Sequence, residues 1–311
     1  MVSRLEKKPE WLRIKLPSGE NYVKVRQTVA SLGLHTVCEE ARCPNIGECW
    51  GGGTATIMIM GDICTRGCRF CSVAGGRPLY LDPDEPERVA QAIKKWGLRY
   101  VVITSVCRDD LQDGGANHIA KTIKAVKVRC PETIIEPLIP DFHGNRHAIE
   151  KVAHSGPEVI SHNIETVARL SPLIRDPRAT YEQSLRVLEI IKEIDYKIYT
   201  KSSIMLGLGE MAEEVMLAAK DLRSSGVDIL SIGQYLQPTS RHLPVKEYIT
   251  PEKFDSYRKS IEKMGFAYVV AGPFIRSSYK AGELFIKNMV YRGREQQSGT
   301  SSSRSNNPKQ D

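Results

Sequence analysis

The sequence predicts an α/β protein in which helices pack outside a parallel β-sheet. Short apolar segments that read as strands alternate with longer segments whose apolar residues recur at helical spacing. Six or seven such units follow one another along the chain, and this alternation is typical of parallel sheets. The number of units suggests a barrel or partial barrel, and a doubly wound open sheet is the alternative. In both folds, functional residues follow the carboxyl ends of the strands.

The predicted strands are short and apolar. They lie near residues 54–59, 100–104, 133–139, 159–163, 197–205, 228–232 and 267–271. The first predicted helix follows Asp82 and Asp84, which are candidate N-caps. The helices lie near residues 85–96, 118–128, 181–194, 213–224, 251–264 and 281–289.

Three segments are expected along the chain. Residues 1–53 form an N-terminal arm that carries Cys38, Cys43 and Cys49, and residues 54–290 form the barrel with a closing helix. Residues 291–311 form a tail that is predicted to be disordered, because it is polar and rich in serine.

The net charge of +7 is concentrated at the two ends of the chain. The body between them is close to neutral, which argues against a nucleic-acid partner. The basic first 30 residues are either a solvated arm or a docking segment for an acidic protein. No apolar run approaches the ~20 residues of a membrane helix. Residues 1–10 are charged and lack the apolar core of a signal peptide, so a cytosolic protein is expected.

Six of the eight cysteines lie between Cys38 and Cys71. In a chain without a secretion signal, such clustering indicates metal binding rather than disulfides. The other two, Cys107 and Cys130, are not expected to be ligands. Cys130 is predicted to be a core residue, whereas Cys107 follows a predicted strand and is a candidate reactive thiol.

The strongest motif is Cys64-x3-Cys68-x2-Cys71, directly after the first predicted strand. Three thiolates can hold three irons of a cubane cluster, which leaves the fourth iron open to a small molecule. Zinc is the alternative, although structural zinc sites normally take four ligands. The second set, Cys38-x4-Cys43-x5-Cys49, is less specific when it is taken alone.

The two sets together resemble a known family. The first set, after a first strand, resembles the radical S-adenosylmethionine superfamily, and the second resembles the auxiliary-cluster motif of its lipoyl synthases. The resemblance extends over about residues 9–290 and departs at Cys107, where the family more often has Asp. Its matching segments lie at 8–19, 104–116, 161–166, 205–210, 233–239 and 276–283.

This resemblance implies a partial (β/α)6 TIM-like barrel with an N-terminal cluster-binding extension and a C-terminal helix. It also implies two [4Fe-4S] clusters and S-adenosylmethionine. The first cluster would be held by Cys64, Cys68 and Cys71, with Phe70 near the adenine of the cofactor. The second would be held by Cys38, Cys43, Cys49 and Ser278. Two sulfur atoms from the second cluster would enter a protein-bound octanoyl-lysine at C6 and C8, giving the lipoyl group.

The resemblance also implies partners. The substrates would be octanoylated lipoyl domains of 2-oxoacid dehydrogenases and the glycine-cleavage H protein. An electron donor such as ferredoxin or flavodoxin and an iron–sulfur carrier that rebuilds the consumed cluster would be needed. Nucleic acids and membranes are not expected as partners.

Several residues keep two interpretations. Asn163 and Glu165 follow a predicted strand and either contact the ribose of S-adenosylmethionine or cap a helix. Ser278 either binds the second cluster or caps the last helix. Residues 207–210 either let the backbone come close to the cofactor or form a turn. Residues 108–110 are either an active-site cluster or a solvated loop.

Two other functional classes are alternatives. A cluster-based redox module would need less scaffold than six strand–helix units. A radical enzyme that acts on small molecules or RNA is disfavoured by the N-terminal cysteine set, by Arg276-Ser277-Ser278-Tyr279 and by the near-neutral body.

Overall fold

The computed structural model describes residues 8–12 and 18–278, together with Asn288 and Val290. The strands in this part of the chain are β1 (His35–Thr36), β2 (Ile57–Ile59), β3 (Ile63–Cys64), β4 (Ala74–Gly75), β5 (Tyr100–Ser105), β6 (Ile134–Leu138), β7 (Val159–Ser161), β8 (Tyr199–Leu206), β9 (Ile229–Gln234) and β10 (Tyr268–Gly272). The α-helices are α1 (Glu20–Ser31), α2 (Val37–Glu40), α3 (Ile46–Gly51), α4 (Glu85–Trp96), α5 (Ala116–Arg129), α6 (Arg146–Ala153), α7 (Ser171–Ile174), α8 (Tyr181–Ile194), α9 (Ala212–Ser224) and α10 (Pro251–Glu262). Short 3-10 segments lie at Glu10–Leu12 and Phe142–Gly144.

The main sheet has eight strands in the order β1-β2-β5-β6-β7-β8-β9-β10. All neighbours from β2 to β10 are parallel, and only the edge strand β1 is antiparallel to its neighbour. Each parallel strand is added on the same side of the previous one, so right-handed crossovers place the connecting helices on one face. A doubly wound sheet would reverse its strand order. The structure therefore confirms the partial-barrel prediction. In the described residues the edge strands β1 and β10 do not pair with each other, so the barrel is not closed.

Most predicted elements are present with bounds shifted by a few residues, and α4 and α8 have the predicted bounds. Two longer helices were missed. The first, α1, carries mostly polar residues and buries only Val25, Thr28 and Val29. The second, α6, has only eight residues, of which Ile149 and Val152 are the large buried ones. The predicted helix at 281–289, apart from Asn288, and the tail at 291–311 lie outside the described residues. Among the described helices, none is long and apolar enough to cross a membrane.

A second small sheet shapes the loop that follows β2. Strands β3 and β4 pair Ile63 with Ala74 and Cys64 with Gly75. The backbone N–H of Gly76 donates to the carbonyl of Cys64 at 2.9 Å. The chain between these strands therefore forms a closed loop, and this loop carries Cys64, Cys68 and Cys71.

Candidate active site

A cavity of about 800 Å³ lies at the carboxyl ends of the parallel strands. Ser105, Leu138, Met205 and Gln234, which lie at or next to the ends of four barrel strands, line it. Parallel strands bring these ends to one edge of the sheet, where barrel enzymes keep their chemistry. The lining also includes four of the candidate cluster cysteines and the candidate ligand Ser278; these cysteines are Cys43, Cys64, Cys68 and Cys71.

The thiols of the loop between β3 and β4 accept backbone hydrogen bonds. The Sγ atom of Cys64 accepts from the N–H groups of Arg66 and Cys107, each at 3.4 Å. The Sγ atom of Cys68 accepts from the N–H of Asp176 at 3.3 Å. Hydrogen bonds to sulfur favour the thiolate form and tune iron–sulfur clusters. These contacts therefore suit sulfur atoms that bind iron.

Buried ion pairs hold the same loop against the barrel. The guanidinium of Arg66, which lies between the first two cysteines of the loop, makes two bonds of 2.7 Å to Asp141 and two of 2.9 Å to Asp109. The carboxylate of Asp176 accepts the N–H of Gly67 at 2.9 Å. Burial raises the pKa of Asp141, but hydrogen bonds from Arg66 outweigh this effect and lower it to about 2. Planar two-point pairs of this kind fix geometry as well as charge.

The segment 108–110 is part of this scaffold, not a solvated loop. Arg108 is buried; its guanidinium pairs with Asp110 and donates to the carbonyl of Leu79 at 2.9 Å. Asp109 also accepts from the hydroxyl of Thr65 at 3.0 Å. The sequence showed these charged residues but not their role, because Leu79 and Thr65, which bind Arg108 and Asp109, lie about 30–45 positions away along the chain.

Cys107 lies directly against the cysteine loop. Its carbonyl accepts the N–H of Thr65 at 3.1 Å, and its thiol contacts the thiol of Cys64. This contact lowers the pKa of Cys64 and raises the pKa of Cys107. Cys130, by contrast, follows α5 and does not line the cavity.

The other cysteine set lies on two short helices beside the barrel. Cys38 is in α2 and Cys49 is in α3, while Cys43 lies in the turn between them. The turn is closed by the N–H of Cys43, which donates to the carbonyl of Cys38 at 3.0 Å. The antiparallel pairing of β1 with β2 fixes this segment to the first barrel strand.

Most of the candidate thiols hold their protons in the absence of metal. Burial raises the pKa of Cys38 to about 11 and that of Cys71 to about 12. Burial likewise raises the pKa values of Cys43 and Cys68. Because metals bind thiolates, metal binding at these sites must release protons.

The segment after β10 meets the N-terminal cysteine segment. The side-chain amide of Asn45 donates to the carbonyl of Phe274 at 2.7 Å. A Cβ atom on Gly233 would lie 2.1 Å from the carbonyl oxygen of Ile275, so only glycine lets this segment cross the end of β9. Ser277 and Ser278 both line the cavity. Residues more than 200 positions apart in the sequence are thus neighbours at one opening.

The candidate cofactor residues lie in the same cavity. Phe70, Asn163 and Glu165 all line it, and Glu165 has a left-handed backbone with φ of 67°. The amide of Asn163 donates to Glu165 at 3.1 Å, whereas its Oδ1 atom is buried without a partner among the described residues. A buried amide oxygen normally has a donor, and a ligand hydroxyl would supply one. Neither residue is a helix N-cap, since the next helices start after Leu170 and Thr180.

Residues 207–210 form a turn. A Cβ atom on Gly207 would lie 2.2 Å from the Gln234 amide, and the Glu210 carboxylate accepts the N–H groups of Gly207 and Leu208. None of the residues 207–210 lines the cavity. The turn interpretation is therefore the correct one for both glycines of this segment.

The spacing of the thiols separates a cluster from a single ion. In the part of the chain that the structure describes, the three sulfur atoms of neither set lie within 4.8 Å of one another. One tetrahedral zinc ion with Zn–S bonds of about 2.3 Å would hold its thiolates about 3.8 Å apart. A four-iron cluster takes its ligands on separate irons and accepts a wider arrangement. The thiols of neither set are therefore grouped around a single zinc ion in the described residues.

Known proteins share this fold. The family model described as Radical SAM superfamily matches residues 58–232. The structure of SuiB from Streptococcus suis bound to S-adenosylmethionine has a TM-score of 0.53 at 11% identity, covering 83% of this chain and 58% of that chain. The FeFe-hydrogenase maturase HydG from Carboxydothermus hydrogenoformans has a TM-score of 0.52 at 13% identity, covering 88% of this chain and 70% of that chain. The class is thus a radical S-adenosylmethionine enzyme, which implies a [4Fe-4S] cluster and this cofactor.

Sequence relatives define the family within this class. The model for the N-terminal domain of lipoyl synthase matches residues 3–43. The mitochondrial lipoyl synthase of Rattus norvegicus is 58% identical over 288 residues, covering 91% of this chain and 77% of the relative. The apicoplast lipoyl synthase of Plasmodium knowlesi is 57% identical, covering 92% of this chain and 65% of the relative. The chain belongs to the lipoyl synthase family, which decides against an electron carrier and against other radical enzymes.

The expectation of a cytosolic protein is wrong by the same comparison. The similar lipoyl synthases of Rattus norvegicus and Homo sapiens are named mitochondrial, and that of Plasmodium knowlesi is named apicoplast. The expectation rested on the charge and polarity of residues 1–10. Those features argue only against a secretory signal peptide. They say nothing about the barrel and the cysteine motifs, which are what the relatives share with this chain.

Proposed function

We propose that this enzyme inserts two sulfur atoms at C6 and C8 of a protein-bound octanoyl-lysine, and that its auxiliary [4Fe-4S] cluster supplies them. The observation that carries the proposal is the meeting of three distant segments at one cavity. These are the loop after β2, the turn that contains Cys43 and the closing segment that contains Ser278. A radical generator and a sulfur donor must both reach the same carbon atoms, and this arrangement permits it.

In the proposal, Cys64, Cys68 and Cys71 hold the cluster that binds S-adenosylmethionine. The unpaired Oδ1 atom of Asn163 accepts a ribose hydroxyl, and Glu165 is fixed beside it by their mutual hydrogen bond. Burial raises the pKa of Glu165. Phe70 lies in the loop itself and packs beside the adenine.

The second cluster is proposed to be held by Cys38, Cys43, Cys49 and Ser278. Support comes from the Asn45–Phe274 hydrogen bond, which ties the cysteine turn to the closing segment. A serine hydroxyl binds iron more weakly than a thiolate does. The Ser278 hydroxyl would therefore occupy the fourth iron before the substrate arrives and dissociate from that iron when sulfur leaves the cluster.

The chemistry explains why cofactors are required. An unactivated methylene has no acidic proton and no leaving group, so acid–base side chains cannot act on it. When bound, the first cluster with S-adenosylmethionine supplies a 5′-deoxyadenosyl radical, and the second supplies sulfide. Apolar residues of the cavity wall would bind the acyl chain and exclude water; they include Val106, Leu138, Ile139, Met205 and Leu236.

The proposed partners follow from this reaction. Octanoylated lipoyl domains of 2-oxoacid dehydrogenases and the glycine-cleavage H protein present the substrate. A low-potential donor such as ferredoxin or flavodoxin supplies electrons. An iron–sulfur carrier rebuilds the second cluster, because the reaction consumes its sulfide.

The proposal is tested by anaerobic incubation of the two-cluster enzyme with an octanoylated lipoyl domain, S-adenosylmethionine and a reductant. Intact mass should show the gain of two sulfur atoms, because the product stays in its reduced dithiol form under these conditions. Labelled sulfide in the buffer should be absent from the product of the first turnover. Production of 5′-deoxyadenosine without any change in the mass of the lipoyl domain would contradict the proposed substrate.

Substitution of Gly233 by alanine is expected to reduce occupancy of the second cluster only. The added Cβ would displace the backbone at Ile275 and move the segment that carries Ser278. Iron analysis should approach about four irons per chain instead of about eight, with S-adenosylmethionine cleavage retained. Gly272→Ala is the matched control, since its Cβ meets only a side-chain carbon of Ile275 at 3.4 Å. Equal iron contents in the two variants would contradict the placement.

Substitutions of Ser278 separate a ligand from a structural hydroxyl. Ser278→Ala should retain formation of 5′-deoxyadenosine and lose most of the lipoyl product, because the fourth iron is left open. Ser278→Cys should keep the cluster and slow sulfur transfer, because thiolate dissociates less readily. The measurements are single-turnover mass spectrometry and iron content. Formation of product by Ser278→Ala at the wild-type rate would show that the hydroxyl is not a ligand.

A further inference from the structure

Four exposed cations surround the opening of the cavity; they are Lys8, Arg42, Arg69 and Arg241. Every lining residue that is both charged and exposed is among these four. The two acids of the lining lie further inside. Asp141 is paired with Arg66, and Glu165 accepts from Asn163. We call these four residues the cationic rim.

The positive charge of the rim is not neutralised by acidic neighbours. No residue of the rim forms an ion pair with an acid in the described part of the chain. Some other exposed arginines are paired, as in Arg146–Glu150 at 3.0 Å and Arg169–Glu214 at 2.6 Å. The body of the protein is close to neutral. The rim is therefore a local excess of positive charge at the opening of the site.

The positions of the rim residues are set by the segments that hold the cavity. Arg42 precedes Cys43 and has a left-handed backbone with φ of 51°. Arg69 lies inside the cysteine loop and donates to the carbonyl of Leu173 at 3.0 Å. Arg241 precedes His242, whose Nε2 atom bonds the carbonyl of Cys71 at 2.9 Å. The backbone of each of these three arginines therefore belongs to a segment that lines the cavity.

The cavity has apolar walls inside and positive charge outside. An acyl chain on a lysine arm fits such walls, and the protein that carries the arm must then lie against the opening. Exposed charges there favour a partner of opposite charge and speed its association.

We infer that the cationic rim docks an acidic surface of the protein that presents the acylated lysine. The inference rests on the proposed function, because it places the carrier at the opening through which the acyl chain enters. An acidic electron donor is the competing occupant. It is less favoured because an electron can reach a cluster from other directions, whereas the acyl chain must pass through this opening.

The test uses the two-cluster enzyme and an octanoylated carrier domain with an acidic surface. The variant Arg42→Glu/Arg241→Glu reverses two charges of the rim. The control Lys121→Glu/Lys124→Glu makes the same change in net charge at exposed positions of α5. Binding is measured by titration calorimetry at low and at high salt, and the iron content of each variant is measured in parallel.

The rim variant should bind the carrier about tenfold or more weakly at low salt, with a smaller difference at high salt where exposed charges are screened. The control should bind within about twofold of the wild type. The neutral variant Arg42→Gln/Arg241→Gln should show an intermediate loss, and it keeps the test decisive if charge reversal lowers the iron content. Wild-type affinity at low salt in both rim variants would overturn the inference.

Two further outcomes are distinguishable. Slower reduction by a flavodoxin with unchanged carrier binding would assign the rim to the electron donor and overturn the inference. Failure of the proposed function would appear in the wild-type enzyme itself, as an octanoyl-lysine substrate that gains no sulfur. Failure of the inference would appear only as unchanged binding in the rim variants.

Discussion

Replacement of Cys64, Cys68 and Cys71 by alanine is expected to abolish cleavage of S-adenosylmethionine and to remove one of two four-iron clusters. The three thiols share one loop, which is closed by β3 and β4 and braced by Arg66. Without the thiolates, no other sulfur in the loop can hold the irons. Cleavage should fall to background and iron from about eight to about four per chain, measured by chromatography of 5′-deoxyadenosine and by iron analysis.

Cys130→Ala is the matched control for this triple variant, because Cys130 follows α5 and does not line the cavity. It should keep full iron content and full cleavage. The isosteric triple variant with serine should behave like the alanine variant, which separates loss of the ligand from loss of packing. Cleavage that survives in either triple variant would refute the assignment of the loop.

Replacement of Cys38, Cys43 and Cys49 by alanine is expected to abolish sulfur insertion while 5′-deoxyadenosine is still formed. The two sets lie on separate elements, α2 and α3 on one side and the loop after β2 on the other. Loss of one set should therefore leave the other loop intact. Intact mass of the carrier reports insertion, and chromatography of the nucleoside reports cleavage.

The opposite losses in the two triple variants form the decisive comparison. One variant should contain the second cluster and make no nucleoside, and the other should make nucleoside and no lipoyl product. If sulfur insertion persisted without Cys38, Cys43 and Cys49, the sulfur would have to come from another source. Labelled sulfide in the buffer would then appear in the product and identify that source.

Sequence reasoning predicted the strands and most helices because their patterns are local. The bounds of α4 and α8 follow from helical periodicity and flanking turn residues. By contrast, α1 and α6 were missed because α1 carries mostly polar residues and α6 has only eight residues, and the burial of both depends on neighbours from other elements. Tertiary packing, not propensity, stabilises such helices.

The compartment was predicted wrongly for a related reason. Charge and polarity in the first ten residues are compatible with several destinations, and they do not constrain the folded barrel. The relatives share the barrel and the cysteine motifs, and they are named for mitochondria and the apicoplast.

The sequence by itself determined the parallel α/β class and the two groups of closely spaced cysteines, because both are properties of short stretches of chain. Only the tertiary structure decided which distant residues share the cavity. It placed Asn45 against Phe274, Cys107 against Cys64 and the closing segment over Gly233. These contacts join residues between about 40 and 230 positions apart. They depend on the register and order of the parallel strands, and no local pattern in the sequence specifies that register.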